Sequence, residues 1–290
     1  MSNLPYGPNP NASYTGFVGE VWSQKINLGL NQNCVMLQCV NRDWQSEADK
    51  GVEAINIISP TDVSIAQYTG EFEGYETISG GSTVLHLDQN VSFGLTIPDI
   101  DQAQSNVSIA DTVIKKAQKA VESAIDKYLF SFYTDAQNTL GTVESPVELT
   151  PETVYAKFVE LAKTLKNSGA LSSNNTGWVV VNPAVEEVLL LSKQFTGASG
   201  LGDSSIKNGA IGRIAGLDVL VSANVGELTD GKYVVMAGVN EAITYASQLK
   251  KIETLRAENS FSSIIRGLYT FGGLTLQPKG IASLTCTPAV

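Results

Sequence analysis

From residue 51 to residue 114 the chain carries no lysine or arginine. The same interval holds Glu53, Asp62, Glu71, Glu73, Glu76, Asp88, Asp99, Asp101 and Asp111. Its two flanks, GVEAINIIS (51–59) and STVLHLDQNVSFGLTI (82–97), are rich in Val, Ile, Leu and Thr with partial alternation, which predicts strands. Between them runs PTDVSIAQYTGEFEGYETISGG (60–81), which is polar, aromatic and glycine-containing. Two strands joined by so long an excursion make an extended β-loop, not a tight hairpin. Connections beyond about 15 residues are usually functional or disordered. A uniformly acidic loop repels itself and has little core of its own. It is either a solvated loop or one stabilised by lying across a basic surface on another chain.

The first cations after this interval sit on the strongest helix signal in the chain. From Ile109 to Tyr133 the apolar residues Ile109, Val113, Ala117, Ala120, Val121, Ala124, Ile125, Leu129 and Phe132 recur in three- and four-residue steps. Ser108 or Ser105 is the expected N-cap, and Asp111 falls favourably in the first turn. About 25 residues at 1.5 Å each give a rod about 37 Å long. Lys115, Lys116, Lys119 and Lys127 decorate it. They read as a solvated helix face or as partners for the acidic loop of a neighbour. The candidate inter-subunit contacts are thus Glu71, Glu73 and Glu76 on the loop, and Lys115, Lys116, Lys119 and Lys127 on the helix.

The remaining segments alternate in type. Residues 1 to about 16, with Pro5, Pro8, Pro10, Gly7 and Gly16, read as an extended arm. Apolar residues from Phe17 to Val40 suggest helical pieces lying on something larger. A second helix is expected after Thr150 as N-cap, with Pro151 in its first position, a stripe of Val154, Phe158, Leu161 and Leu165, and Gly169 as its stop. WVVV (178–181) reads as a buried strand, and Asn182-Pro183 as the cap of a third helix with Val185, Val188 and Leu189 inward. TGASGLGDSSIKNGAIG (196–212) reads as a Gly- and Ser-rich loop. LDVLVS (217–222) and KYVVMAGV (232–239) read as strands, NEAITYASQL (240–249) as a short helix, and the last 40 residues as β-rich with a kink at Gly272-Gly273. The sum is an α+β arrangement in which late strands pack back on the long helix.

The same residues hold no convincing catalytic constellation. His86 is the sole histidine, which excludes any mechanism needing two imidazoles and any multi-histidine metal site. Flanked by leucines in VLHLD, it reads as structural or interfacial. Cys34, Cys39 and Cys286 are odd in number and lack CxxC spacing, so they read as reduced, buried thiols. Gly197, Gly200 and Gly202 do not link a strand to a helix with dinucleotide-binding spacing. Asp99 and Asp101 form either a carboxylate pair or a strand-to-helix turn. A net charge of −10 makes sequence-independent binding to a phosphate backbone unfavourable. No apolar run spans a bilayer, and the polar N-terminus lacks the basic and apolar regions of a signal peptide. No cofactor and no catalytic or metal-binding residue is expected.

Floppy and acidic arms, a long helix and no reactive constellation fit a protein whose product is assembly. The series of elements resembles the tailed-bacteriophage major capsid protein of the Hong Kong 97 fold, in the branch without a fused protease-removed segment. EVWSQKINLGLNQNCVMLQCVNRDWQ (20–45) resembles the arm leading into the body, and GVEAINIIS with HLDQNVSFGLTIPDIDQAQSN the two sides of the extended loop. IADTVIKKAQKAVESAIDKYLFSFY resembles the spine helix, and GWVVVNPAVEEVLL the core of the axial domain. GAIGRIAGLDVLVSANV and the residues from Lys232 onward resemble the axial strands, the long returning strands of the peripheral domain and the closing segment.

The resemblance implies an arm and lead-in (1–45), an extended β-loop (46–98), a peripheral domain with the spine helix (99–148 and 249–280) and an axial domain (149–248 and 281–290). It implies pentamers and hexamers of an icosahedral shell around double-stranded DNA, enclosed without sequence-specific binding. The extended loop would lie on an adjacent subunit, and the 196–212 loop would face the capsomer axis. A virion location, assembly in the host cytoplasm, and a separate scaffolding protein and portal as partners belong to the same expectation. Some members of this fold weld the shell through a Lys–Asn isopeptide bond from the extended loop. The absence of lysine between Lys50 and Lys115 predicts no such bond here. An encapsulin-like bacterial compartment shell is the alternative on the same fold, and a hydrolase using Asp99 or Asp101 a remote one.

Overall fold

A computed structural model of the chain describes residues 34–59, 81–98, 109–172, 175–192, 212–224, 226–228, 231–257 and 261–289. The lead-in makes a 3-10 turn at Met36–Gln38 and a one-turn helix α1 (Gln45–Ala48). Strands β1 (Ala54–Ser59) and β2 (Gly81–His86) pair antiparallel into a two-stranded ribbon, with Ala54 opposite His86 and Ser59 opposite Gly81. β3 (Gln89–Pro98) follows. The long helix α2 spans Ile109–Phe130 and tightens into a 3-10 turn at Ser131–Asp135. β4 (Asn138–Leu140), β5 (Val147–Leu149), helix α3 (Val154–Asn167), β6 (Gly177–Val181) and helix α4 (Pro183–Leu191) come next. The chain closes with β7 (Arg213–Ile214), β8 (Leu217–Val221), β9 (Tyr233–Gly238), β10 (Ile243–Arg256), β11 (Ser262–Thr275) and β12 (Ile281–Pro288).

A seven-stranded mixed sheet runs in the order β4-β12-β9-β6-β8-β7, with β5 also pairing β12. All five residues of β6 are buried, which is why GWVVV shows no alternation: both faces of the strand are covered. Helix α3 packs on β12 and β9 and meets α4. Its stripe Val154, Phe158, Leu161 and Leu165 is buried as the spacing predicts. Asn182 caps α4, its side-chain oxygen accepting from the Ala184 N–H at 3.1 Å. Gly169 ends α3 at a φ of +77°, a conformation L side chains rarely adopt.

A second, three-stranded antiparallel sheet has the order β10-β11-β3. It packs back on α2: the Tyr128 ring meets Phe271 edge-on at 5.3 Å, and the Tyr128 hydroxyl accepts from the Gly273 N–H at 3.2 Å. The late strands therefore return to the long helix, as the α+β reading expects.

Four local expectations are corrected. STVLHLDQNVSFGLTI is not one strand. It breaks at Leu87-Asp88, β2 pairing with β1 while β3 joins β11. NEAITYASQL is not a helix: only Asn240–Ala242 make a 3-10 turn, and β10 begins at Ile243. β-branched and aromatic Ile243, Thr244 and Tyr245 enter a strand held on both edges, by β11 and by Asn41, whose carbonyl accepts from the Tyr245 N–H at 2.9 Å. Gly272-Gly273 is not a kink. β11 runs through both, and a Cβ at Gly272 would overlap the His86 carbonyl, so the glycine serves the crossing of β2 over the strand. Finally, α3 starts at Val154, after a turn in which the Thr150 carbonyl accepts from the N–H groups of Thr153 and Val154. Pro151 thus lies in the turn and not in the first helical position.

Candidate assembly surfaces

Among the described residues the β1–β2 ribbon is buried along one face. Ile55, Ile57, Leu85 and Leu87 are buried together with Ala48 of α1 and Ala246 of β10, and Trp44, Leu274 and Leu276 pack around them. The alternate positions point outward: Asn56 is exposed, and Ile58 is 73% exposed. Among the described residues the ribbon is therefore clamped at its root, with its outer face exposed. Glu71, Glu73 and Glu76 belong to the connection between the two strands and lie outside the described residues, as do residues 1–33, Asp99, Asp101 and all but the last residue of the 196–212 loop.

On α2 the apolar stripe Ala117, Val121, Ile125 and Leu129 is buried, with Phe130 beside it. Lys115, Lys116, Lys119 and Lys127 are all exposed on the same helix. Ala120, assigned to the stripe by spacing, is exposed too. The helix thus has an apolar inner face and a lysine-bearing outer one. What sequence reasoning missed is Asp126, which has no solvent exposure. Its Oδ1 accepts from the Met36 N–H at 3.0 Å and from the Cys34 thiol at 3.3 Å. Its Oδ2 accepts from Asn224 Nδ2 at 3.2 Å. The signal was present in the helical period, since Asp126 stands one turn before buried Phe130. One turn earlier, burial and then the Asp126 charge push the Glu122 carboxyl up, opposed by Lys119.

The β10–β11 hairpin carries a third exposed feature. Phe261, beside the start of β11, is 87% exposed, and Leu255 and Leu268 are exposed nearby in the same hairpin. The Arg266 guanidinium donates to Glu253 across the strands, Nε to Oε2 at 2.8 Å. Glu253 and Arg266, with Ser92, Phe93, Gly94, Gly267 and Leu268, line an open groove of about 520 Å³ on the three-stranded sheet.

The thiols offer no nucleophile. Burial, reinforced by the Asp126 charge, pushes Cys34 up, and burial alone pushes Cys286 up to about 12. His86 is exposed on β2, whereas all three cysteines are buried. Among the described residues no group of three His, Cys, Asp or Glu side chains is placed to hold a metal ion. No helix among them is long and apolar enough to cross a membrane.

Solved structures share this arrangement. A chain of Mycobacterium phage Che8 superposes with a TM-score of 0.72 at 23% identity, over 87% of this chain and 91% of that one. A chain of Mycobacterium phage Ogopogo gives a TM-score of 0.61 at 14% identity, over 88% and 92%. The crystal structure of a virus-like particle from Pyrococcus furiosus gives 0.57 at 9% identity, over 94% and 100%. Curated protein sequences give no match. The molecule has the α+β fold of phage coat subunits, the Hong Kong 97 type to which the sequence points. A sequence family model described as phage capsid protein matches residues 91–284, from β3 into β12. The chain belongs to that family, and it is a structural protein of the bacteriophage virion, not an enzyme.

Proposed function

We propose that this chain is the major capsid protein of a tailed phage, forming pentamers and hexamers of an icosahedral shell that encloses double-stranded DNA. The observation that carries the reading is the β1–β2 ribbon. Its root is buried against α1 and β10, yet its outer face presents Ile58 to solvent, and it leads into an acidic connection with no cation of its own. Such an element is completed by a neighbouring copy. In the proposed arrangement Glu71, Glu73 and Glu76 lie over the outer face of α2 on the next subunit, near Lys115, Lys116, Lys119 and Lys127. Individual contacts of this kind are weak, and a closed shell multiplies them.

The division into arm (1–45), extended loop (46–98), peripheral domain (99–148 and 249–280) and axial domain (149–248 and 281–290) is part of the proposal, with the 196–212 loop at the capsomer axis. So are a separate scaffolding protein and a portal as partners, assembly in the host cytoplasm, and DNA held without sequence-specific contacts. The test is electron microscopy of the purified product, with and without the scaffolding protein. Closed shells that need the scaffold support the reading. A discrete small oligomer under all conditions sinks it.

The likeness to the virus-like particle of Pyrococcus furiosus favours one second reading, a cellular compartment shell. Uniform closed shells formed by this chain alone, with an enzyme copurifying inside, would select that reading.

A further inference from the structure

Asp126 is a buried carboxyl group whose hydrogen-bond donors come from two chain segments far apart in sequence. Burying a carboxylate is costly unless donors replace its water on both oxygens. Here the lead-in supplies one side, through the Met36 N–H at 3.0 Å and the Cys34 thiol at 3.3 Å. The loop after β8 supplies the other, through Asn224 Nδ2 at 3.2 Å. That loop is tied to the seven-stranded sheet: the Asn224 N–H donates to Ser222 Oγ at 3.3 Å, and the Ser222 N–H donates to the Val181 carbonyl at 3.0 Å. Farther along, the lead-in is fastened to a different sheet. The Asn41 N–H donates to the Ile243 carbonyl at 2.8 Å, and Gln45 Nε2 donates to the Ser247 carbonyl at 2.6 Å. Met36, Leu37, Cys39 and Val40 give the segment an apolar base, and Asp126 supplies its polar attachment to α2.

We propose that Asp126 is a latch that makes docking of residues 34–40 conditional on the loop after β8, so that this strap, hinged where Asn41 is held by β10, can be released while the seven-stranded sheet stays folded. The coupling follows from sharing one carboxylate. If Asn224 withdraws, Oδ2 loses the protein donor that replaces its water, while Oδ1 stays buried against the lead-in. The side chain then regains hydration by turning outward, and Oδ1 leaves Met36 and Cys34. Undocking of the strap likewise removes the reason for Asn224 to stay. The latch is a property of the subunit and does not depend on shell formation.

Hydrogen exchange on the full chain, resolved to peptides, tests this. Asn224 belongs to a different loop from the strap, so Asn224→Ala is the decisive variant. It should speed exchange across 36–40 by about three- to tenfold, and Asp126→Ala by about ten- to a hundredfold, given the ordinary strength of hydrogen bonds to a charged group. Both should leave 177–181 and 233–238 at wild-type protection. Unchanged exchange of the strap in Asn224→Ala overturns the latch, and so does an acceleration shared equally by the two sheet segments. If Asp126→Ala does not fold, Asn224→Ala decides alone.

Discussion

Two glycines of similar strand context separate packing from propensity. A Cβ at Gly272 would run into the His86 carbonyl, which is backbone and cannot step aside, whereas a Cβ at Gly94 meets nothing within 4 Å. Gly272→Ala should therefore lower stability by about 2–3 kcal/mol, read from the urea midpoint, while Gly94→Ala should stay within about 0.5 kcal/mol. The cysteines make a second residue-level case. Burial raises the Cys286 thiol from an ordinary value near 9 to about 12, and Cys34 and Cys39 move the same way. Between those values the unfolded chain has lost protons that the folded chain still holds, so folding is opposed as pH rises. Unfolding free energy should be flat on this account below about pH 8 and fall from about pH 9 toward pH 12. At pH 8 the native protein should resist thiol alkylation and label at Cys34, Cys39 and Cys286 only when unfolded. Rapid labelling of the native chain at that pH would contradict the buried assignment.

At the scale of elements, α2 divides into an inner face that holds the subunit together and an exposed outer face that carries its lysines. Ile125→Ala or Leu129→Ala should cost about 2–5 kcal/mol by emptying the core. Lys116→Glu or Lys119→Glu, on the exposed side, should change subunit stability by less than about 0.5 kcal/mol. The combined change of Glu71, Glu73 and Glu76 to Lys should leave the subunit folded by circular dichroism and abolish closed particles by microscopy. Normal particles from that variant would remove the acidic loop from the account. Elements whose pattern is set locally were legible in the sequence: the stripe of α2, the stripe of α3, the Asn182 cap and the unbroken apolar run of β6. Elements whose pattern is set by distant partners were not. Alternation runs unbroken through His86, Leu87 and Asp88, and nothing there says that β2 will choose β1 while β3 chooses β11, nearly at the other end of the chain. Ala242, Tyr245, Ala246 and Leu249 have helical spacing, and pairing with β11 overrides it. Asp126 was overlooked for a related reason: its helical position one turn before Phe130 pointed inward, but a single charged residue on a helix reads as solvent-facing until the strap that covers it is known.

For the whole molecule, the fold class and family role were readable because they rest on the order of many elements, not on any one motif. The bare side of the ribbon and the exposed Phe261 were not, since exposure is decided by what fails to pack there. One molecular prediction concerns covalent linkage. With no lysine from 51 to 114, particles boiled in detergent should run as one band near 30.8 kDa. A ladder of multiples would show cross-linking by another route. A second concerns the order in which the chain can become a subunit. β12 pairs with β9 on one side and with β4 and β5 on the other, so residues 281–288 occupy an interior position of the seven-stranded sheet. They also come last in chain order among the described strands. A nascent chain still awaiting them has a gap where β4 and β5 should attach, and its half-built sheet offers neighbours no finished surface. A product cut short before this strand is thus expected to fail as a subunit: deleting residues 281–288 should abolish the cooperative unfolding of the sheet and leave no closed particles by microscopy, and particles built from the shortened chain would contradict it.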